Sequence, residues 1–177
     1  MFHLYLISLK SILFSIGVYG FNQLVSDEMT LNRTVPDLRE PECQHWDYPT
    51  KLPKASVIMV FHNEGWSTLF RTVHSVLNRS PPQFLEEVLL VDDKSELEHL
   101  HEKLENELEK PLYKGRVRLV RNSEREGLIR SRNNGAVAAR GKLQLTLFFK
   151  AYAFILSCMI RRVTSLEQLS LAELSGE

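Results

Sequence analysis

The sequence predicts an α/β fold with a mostly parallel sheet and flanking helices. Short apolar runs rich in Val, Ile and Leu, typical of strands buried on both faces, alternate with segments of helical periodicity. The connections between these segments are short, and such alternation builds doubly wound parallel sheets with right-handed crossovers. The chain of 177 residues is long enough for one domain with a hydrophobic core.

The first predicted strand and helix open the alternation. Ala55–Phe61 is a continuous apolar run and predicts a buried strand. Apolar residues then recur at helical spacing over Ser67–Asn78. The helix ends at Ser80-Pro81-Pro82, because proline cannot continue a helix. The second predicted strand is Glu87–Val91.

The rest of the predicted sheet repeats this pattern. A charged helix with leucines along its core-facing side is expected over Glu96–Glu109. The third strand is expected at Arg116–Val120. The third helix is expected at Leu128–Ala139, closed by Gly141, and the fourth strand at Leu143–Phe149. The predicted element order is therefore β-α-β-α-β-α-β.

Three segments flank this sheet in the predicted domain plan. Residues 1–19 are apolar apart from a histidine, Lys10 and serines, so a weak signal or anchor segment and an amphipathic helix both fit. A lysine near the centre of a membrane span costs about 2.5–3.5 kcal/mol. Residues 20–54 contain four prolines and are expected to form an extended arm. Residues 150–177 form a tail of unpredicted fold.

Charge, cysteine content and motifs exclude several classes of protein. Acidic and basic residues balance at 22 each, so no net field draws the chain onto nucleic acid. Cys43 and Cys158 are too few for a disulfide framework and lack the spacing of metal ligands; pairing and free thiols both stay open. The sequence has no glycine-rich dinucleotide fingerprint and no phosphate-loop pattern, which argues against a Rossmann dehydrogenase or a P-loop NTPase.

Polar loops follow the first three predicted strands: His62-Asn63-Glu64, Asp92-Asp93-Lys94-Ser95 and Arg121–Gly127. They should meet at one edge of a parallel sheet, which is where open α/β sheets bind ligands. Carboxylates there can accept hydrogen bonds from a base or a ribose, and guanidinium groups bind phosphate. A helix beginning near Gly127 would add a dipole that favours an anion. As a set, these features favour a nucleotide with a diphosphate.

Each of these residues also has a purely structural interpretation. Asn63 and Asp93 are of types that cap helices. The arginines of the third loop and helix would then form a solvated face: Arg125, Arg130 and Arg132. The histidine of the first loop is assigned no chemistry, because a lone histidine at a strand end is more often structural. Taken singly, each residue favours the structural interpretation; only the set favours the nucleotide.

Several motifs of the chain resemble, in the same order, those of the polypeptide N-acetylgalactosaminyltransferases. The resemblance extends over residues 20–141. It includes the segment GFNQLVSDEMTLNRTVPDLREPEC, which is similar to the region before that family's catalytic domain. The motifs of the catalytic domain are LPKASVIMVFHNEGWSTLFRTVHSVLNRSPP, EEVLLVDDKS and VRLVRNSEREGLIRSRNNGA.

The resemblance implies a fold, an activity and a location. Residues 55–149 would be the nucleotide-binding half of a GT-A, Rossmann-like domain. Members of the family are Golgi type II membrane proteins, so a Golgi membrane or lumenal location is expected, with membrane association through residues 1–19. They transfer GalNAc from UDP-GalNAc to Ser or Thr of proteins, with Mn²⁺ and retention of configuration.

The resemblance also implies which residues bind the donor. Val60 and Phe61 would contact the uridine, Asp93 would contact the nucleotide, and Arg125 would bind the donor. No catalytic residue and no metal ligand is assigned in this chain.

The chain departs from the family pattern after the third helix. Phe148 stands where the family has a metal-binding Asp, and Lys150 stands where it has a His. Neither side chain can replace a Mn²⁺ ligand, since Phe offers no oxygen and Lys is a cation. The acceptor-binding segment and the lectin domain are not recognised. The sequence therefore predicts a truncated, inactive product: a UDP-binding or regulatory module that pairs with a full-length relative, or a non-functional fragment.

Overall fold

The structure, a computed structural model, describes residues 2–33, 36, 39–44 and 49–147. Its centre is a four-stranded parallel sheet in the order β3-β2-β1-β4. This confirms the predicted α/β class and the parallel pairing. The strands are β1 (Ala55–Phe61), β2 (Leu85–Asp92), β3 (Val117–Arg121) and β4 (Leu143–Leu147).

Helices connect the strands as the sequence predicts, with one difference. α4 (Trp66–Arg79) joins β1 to β2, α5 (Glu102–Leu108) precedes β3, and α6 (Leu128–Ala138) joins β3 to β4. The single helix predicted between the second and third strands is wrong. A 3₁₀ turn at Glu98–Leu100 precedes α5, and the two are separated by His101, whose φ of −96° and ψ of −118° are not helical.

The larger core lies on the face of the sheet that carries α4 and α5. Val57 and Met59 of β1 are fully buried there against Phe70 of α4 and Leu104 of α5. All seven residues of β1 are buried, because this strand lies between β2 and β4 and is covered on both faces. The continuous apolar run in the sequence reflects this central position.

The opposite face of the sheet carries a smaller core under α6. Ile58 and Val91 are buried there, and the partly buried side chains that pack against them are mainly alanines of α6 and the turn after it. Gly135 of α6 lies so close to the sheet that a Cβ there would be 2.6 Å from Cγ2 of Ile58. Small residues therefore let α6 pack closely against the strands.

A buried carboxylate lies near the amino end of the sheet. Glu87 of β2 accepts hydrogen bonds from Ser56 Oγ at 3.1 Å and from the backbone N–H of Arg140 at 2.8 Å. Arg118 of β3 donates Nε to its other oxygen at 2.9 Å. Burial by itself raises the pKa of Glu87, but these hydrogen bonds outweigh it and hold the pKa below its usual value.

The prediction that Gly141 closes the third helix is wrong. α6 is capped by Ala139, which has extended backbone angles. Gly141 instead donates its N–H to Ser56 Oγ at 2.8 Å, and a Cβ on it would be 2.4 Å from the backbone nitrogen of Ser56. The glycine is needed because the turn before β4 touches β1.

The amino-terminal segment contains three helices: α1 (Phe2–Tyr19), α2 (Gln23–Glu28) and α3 (Pro41–Gln44). The expectation of an extended arm over residues 20–54 is therefore wrong for α2 and α3. α2 begins where Asn22 accepts a hydrogen bond from the backbone of the third residue after it, a local cap. Among the described residues, no helix combines the length and apolar character needed to cross a membrane.

Polar contacts hold α2 and the residues after it against α4. Ser67 of α4 accepts a hydrogen bond from Gln23 Nε2 at 3.0 Å and lies 2.8 Å from Ser26 Oγ. Arg71, one turn further along α4, donates to the carbonyls of Ser26 at 2.6 Å and Met29 at 3.3 Å. These contacts explain why a segment rich in prolines elsewhere forms a docked helix here.

Some sequence predictions fall outside the described residues. These are the end of the fourth strand, the two departures at Phe148 and Lys150, the tail 150–177 and Cys158. Cys43 is partly buried in α3 and forms no disulfide within the described part of the chain.

Candidate functional site

The structure brings the three polar loops together at the carboxyl ends of β1, β2 and β3. The backbone N–H of Asp93 donates to the carbonyl of Phe61 at 2.9 Å, and that of Asn122 donates to the carbonyl of Asp92 at 2.9 Å. These bonds extend the ladder of the sheet by one step beyond the strands. We call this region, residues 62–65, 92–96 and 121–127, the carboxyl edge.

The first loop is tied to the second by side chains. His62 Nδ1 lies 2.9 Å from the carbonyl of Asp93, and the N–H of Asn63 donates to Ser95 Oγ at 3.0 Å. Asn63 Oδ1 accepts the backbone N–H of Glu96 at 2.7 Å. Asn63 therefore joins the two loops rather than capping α4, and its backbone has a positive φ of 49°.

The first carboxylate of the second loop fixes β2 to β3. Asp92 is buried; its Oδ1 accepts the N–H of Ser95 at 2.8 Å, and its Oδ2 forms an ion pair with Arg121. Arg121 also donates to the carbonyl of Leu100 at 2.8 Å and to Glu105 at 3.0 Å. The Arg121 guanidinium is therefore engaged inside the protein.

The second carboxylate, Asp93, holds the third loop. Its Oδ1 accepts hydrogen bonds from Asn122 Nδ2 at 3.0 Å and from the N–H of Glu126 at 2.8 Å. Its Oδ2 accepts the N–H of Gly127 at 3.0 Å and lies 3.3 Å from Nε of Arg125. The buried Asp93 thus anchors the loop that leads into α6, close to the capping role that its residue type allows.

These contacts keep Asp93 ionised, and they occupy N–H groups at the amino end of α6. Burial by itself raises the pKa of Asp93, but hydrogen bonds, led by that from Asn122, hold the pKa below its usual value. The N–H groups of Glu126 and Gly127 at the start of α6 already donate to this internal anion. The expectation that this helix end is open to an external anion is therefore wrong for those two N–H groups.

The four residues expected to bind the nucleotide occupy different positions. Asp93 and Arg125 lie in the carboxyl edge, which begins directly after Phe61, while the Val60 side chain is buried in the smaller core beneath it. The Phe61 ring is buried in the larger core, so its backbone is the part that borders the loops. Arg125 is the accessible member, with 53% of its side chain exposed. Their roles toward a nucleotide stay predictions.

Sequence reasoning gave no role to three residues that shape this edge. Asn122 and Ser95 link the loops through their side chains, and Lys94 has a left-handed backbone with a φ of 56°. A polar residue directly after a strand was a usable signal for Asn122. No local signal marked Lys94, because its backbone angle depends in part on the hydrogen bond between Asp93 and Phe61 of β1.

The described residues do not fit a Mn²⁺ site. In the described ranges, no three His, Cys, Asp or Glu side chains converge as metal ligands. The buried carboxylates Asp92 and Asp93 each have N–H donors on both oxygens. Mn²⁺ prefers several oxygen ligands, whereas Asp92 is paired with the Arg121 cation and Asp93 is held by several N–H donors, so neither is set up as part of a Mn²⁺ site in the described residues.

Comparisons with known proteins place the chain among glycosyltransferases. Residues 56–149 match the family model of Glycosyl transferase family 2. The chain is 53% identical over 125 residues to N-acetylgalactosaminyltransferase 7 of Drosophila melanogaster and 54% identical over 122 residues to polypeptide N-acetylgalactosaminyltransferase 10 of Mus musculus. These alignments cover 71% and 69% of this chain. A crystal structure of GalNAc-T7 with UDP, GalNAc and Mn²⁺ matches with a TM-score of 0.73 and 48% identity over 76% of this chain.

The chain corresponds to a limited part of these relatives. It spans 21% of the Drosophila protein, 20% of the mouse protein and 25% of the crystallised GalNAc-T7 chain. The likeness therefore concerns the region that contains the sheet and its carboxyl edge.

Proposed function

The chain belongs to glycosyl transferase family 2, and we propose that its carboxyl edge binds the uridine diphosphate part of a sugar nucleotide. The observation that carries the proposal is the interlocked set of three strand-end loops around the exposed Arg125. A nucleotide site needs such a preformed edge, because open α/β sheets bind ligands where their strands end. The crystallised GalNAc-T7, which is similar to this chain, was solved with UDP.

Arg125 is the residue best placed to bind the diphosphate. Its side chain is half exposed, and its contact with Asp93 runs through Nε at 3.3 Å. Charged hydrogen bonds are usually shorter, about 2.7–2.9 Å, so this contact is weak. A guanidinium binds phosphate oxygens bidentately. Arg125 can therefore turn toward a diphosphate at little cost to the fold.

Asp93 supports the nucleotide mainly through the loop that it holds. Donors already occupy both of its oxygens, so a direct contact with a base or ribose requires one donor to leave. The weakest of these is Arg125, at 3.3 Å. Movement of Arg125 to the diphosphate would free the Asp93 carboxylate for the nucleoside, so the two contacts expected from the family resemblance would form together.

A titration of the folded chain with UDP, with and without Mn²⁺, tests this proposal. We expect binding that does not depend on the metal and that weakens about tenfold or more in Arg125→Ala, the loss expected for a charged hydrogen bond. Arg130→Ala is the matched control, since Arg130 is 74% exposed and pairs with Glu126 at 3.5 Å on the outside of α6. A folded wild-type chain that does not bind UDP would contradict the proposal.

We propose further that this chain does not transfer GalNAc by itself. The positions of two metal ligands in the family hold Phe148 and Lys150, which cannot bind Mn²⁺. Sequence similarity to GalNAc-transferases then supports donor binding without turnover, as in a regulatory module that pairs with a full-length relative. Transfer from UDP-GalNAc to a Ser/Thr-rich peptide by the purified chain would overturn this statement.

The same resemblance supports a Golgi membrane or lumenal location, with residues 1–19 directing the chain there. A reporter fused to the full chain, compared with one lacking residues 1–19, tests it. Cytosolic reporter in both cases would contradict the proposed location.

A further inference from the structure

Lys94 has an unfavourable backbone conformation at the centre of the carboxyl edge. Its φ is 56°, in the left-handed region that glycine adopts freely and most other residues avoid. The other such non-glycine residue in the described chain is Asn63, with a φ of 49°. Asparagine tolerates this region because its short side chain bonds locally, whereas lysine has no such compensation.

Hydrogen bonds on both sides of Lys94 impose this conformation on whatever residue occupies the position. On one side, the N–H of Asp93 is bound to the carbonyl of Phe61 at 2.9 Å. On the other, the N–H of Ser95 is bound to Asp92 Oδ1 at 2.8 Å. The fold therefore explains the left-handed turn, but it does not explain a lysine there, because glycine or asparagine would fit with less strain.

The Lys94 side chain contributes nothing to the described fold. It is exposed and forms no hydrogen bond or ion pair with the residues that the structure describes. Two exposed acidic residues of the loops, Glu96 and Glu124, make no ion pair with it. Asp92 and Asp93 are neutralised by other donors. The ammonium group is therefore available to an external anion.

We propose that Lys94 is a second cation of the nucleotide site, which binds a phosphate group beside Arg125. The inference rests on the proposed function, because the anion is the phosphate of the bound nucleotide. Strained residues persist only where the surrounding structure imposes them, and they cluster at active sites and ligand-binding sites. An ammonium group offers three donors and a full point charge but no acceptor, so it favours charged phosphate oxygens over a neutral uracil ring.

Two substitutions separate this role from a structural one. Lys94→Gly and Lys94→Asn remove the charge and also suit the left-handed backbone, so neither should lower Tm. The probes are uridine, UMP and UDP, titrated by calorimetry. We expect about a tenfold loss of UDP affinity, a smaller loss for UMP and no change for uridine. Lys54→Asn is the control, since Lys54 is 53% exposed and pairs with Glu86 at the opposite end of the sheet.

The outcomes distinguish this inference from the proposed function. If wild type binds UDP and both Lys94 variants bind it equally well, the inference is overturned and the nucleotide site stands. An equal loss for uridine and UDP also overturns it, because the contact would then be to the nucleoside. If folded wild type does not bind UDP, both statements fall. A phosphate-dependent loss with an unchanged or higher Tm supports the role of Lys94.

Discussion

The two ends of the sheet each contain a buried carboxylate but differ in what surrounds it. Glu87 lies near the amino end and Asp93 at the carboxyl edge, and both accept several hydrogen bonds that lower their pKa against the effect of burial. Around Glu87, the donors come from β1, β3 and the turn before β4. Around Asp93, the donors all come from the single loop between β3 and α6: Asn122, Arg125, Glu126 and Gly127.

A buried, ionised carboxylate therefore does not by itself identify a functional site. The Glu87 network joins three strands and uses no strained backbone. The carboxyl edge instead combines Asp93 with two left-handed non-glycine residues, Asn63 and Lys94, and with the exposed Arg125. Strain and exposed cations beside the carboxylate, rather than the carboxylate itself, separate the candidate site from a structural clamp.

The largest effects are expected from neutralising the two carboxylates. Glu87→Gln leaves the Arg118 guanidinium without its counter-ion, and it should lower the free energy of unfolding by about 3 kcal/mol. Asp93→Asn should cost about 2 kcal/mol, because one amide group cannot accept all the donors of the loop. UDP affinity should fall in Asp93→Asn and stay unchanged in folded Glu87→Gln. Urea denaturation and calorimetric titration measure the two quantities.

Glu86→Gln is the control for this comparison. Glu86 neighbours Glu87 but is partly exposed and pairs with Lys54 at 3.3 Å, so its loss should cost less than about 1 kcal/mol. An equal loss of UDP affinity in the Glu87 and Asp93 variants would contradict the view that only the carboxyl edge, and not the amino end of the sheet, binds the nucleotide.

An intermediate loss of stability is expected when a glycine at either end of the sheet is replaced by alanine. Gly141→Ala should cost about 2 kcal/mol, because the new Cβ would meet the backbone of Ser56 at 2.4 Å. Gly127→Ala should cost about 1 kcal/mol for a different reason: its φ is 80°, while nothing lies within 4 Å of the new Cβ. Thermal denaturation of both variants checks the order.

Asparagine variants at the same two positions test whether the limiting factor is the space for a side chain or the backbone conformation. Gly127→Asn should cost about as much as Gly127→Ala, because a φ of 80° with a ψ of 172° is a conformation that only glycine adopts readily, and asparagine has no advantage there. Gly141→Asn should cost more than Gly141→Ala, because it is larger. If Gly127→Asn were clearly more stable than Gly127→Ala, or Gly141→Asn more stable than Gly141→Ala, backbone conformation at Gly127 or space at Gly141 would not be the limiting factor.

The sequence was sufficient for the features that depend on local patterns. The run Ala55–Phe61 identified β1 to the residue, because a strand buried on both faces is apolar throughout. The meeting of the three loops followed from parallel topology alone. The sequence could not assign Arg121, whose partners Asp92 and Glu105 lie on other elements, or Gly141, whose neighbour is 85 residues away. Such pairings depend on tertiary contacts that no local window contains.

The smallest expected effect comes from a partly buried His–Tyr pair, whose response to pH can be compared with that of Glu87 and Asp93. His74 Nε2 lies 2.9 Å from the Tyr113 hydroxyl on the larger-core face. Burial lowers the pKa of His74 below 6.5, and the nearby Glu107 offsets this only in part. The folded state therefore binds fewer protons than the unfolded state just below pH 6.5, so stability should fall as the pH drops through this range.

Glu87 and Asp93 should affect stability at lower pH than His74 does, so the contributions of the carboxylates and of the histidine can be measured separately. The pKa values of Glu87 and Asp93 lie below their usual values of 4.5 and 3.8, so their stabilisation is complete above about pH 5 and is lost on further acidification. His74→Gln keeps an acceptor for Tyr113 but cannot be protonated. It should remove the decline between pH 7.5 and 5.5 and leave the acid transition in place. If His74→Gln retains the full decline in stability between pH 7.5 and 5.5, another group causes that decline. The pH range would then no longer distinguish the contribution of the His74–Tyr113 pair from those of Glu87 and Asp93.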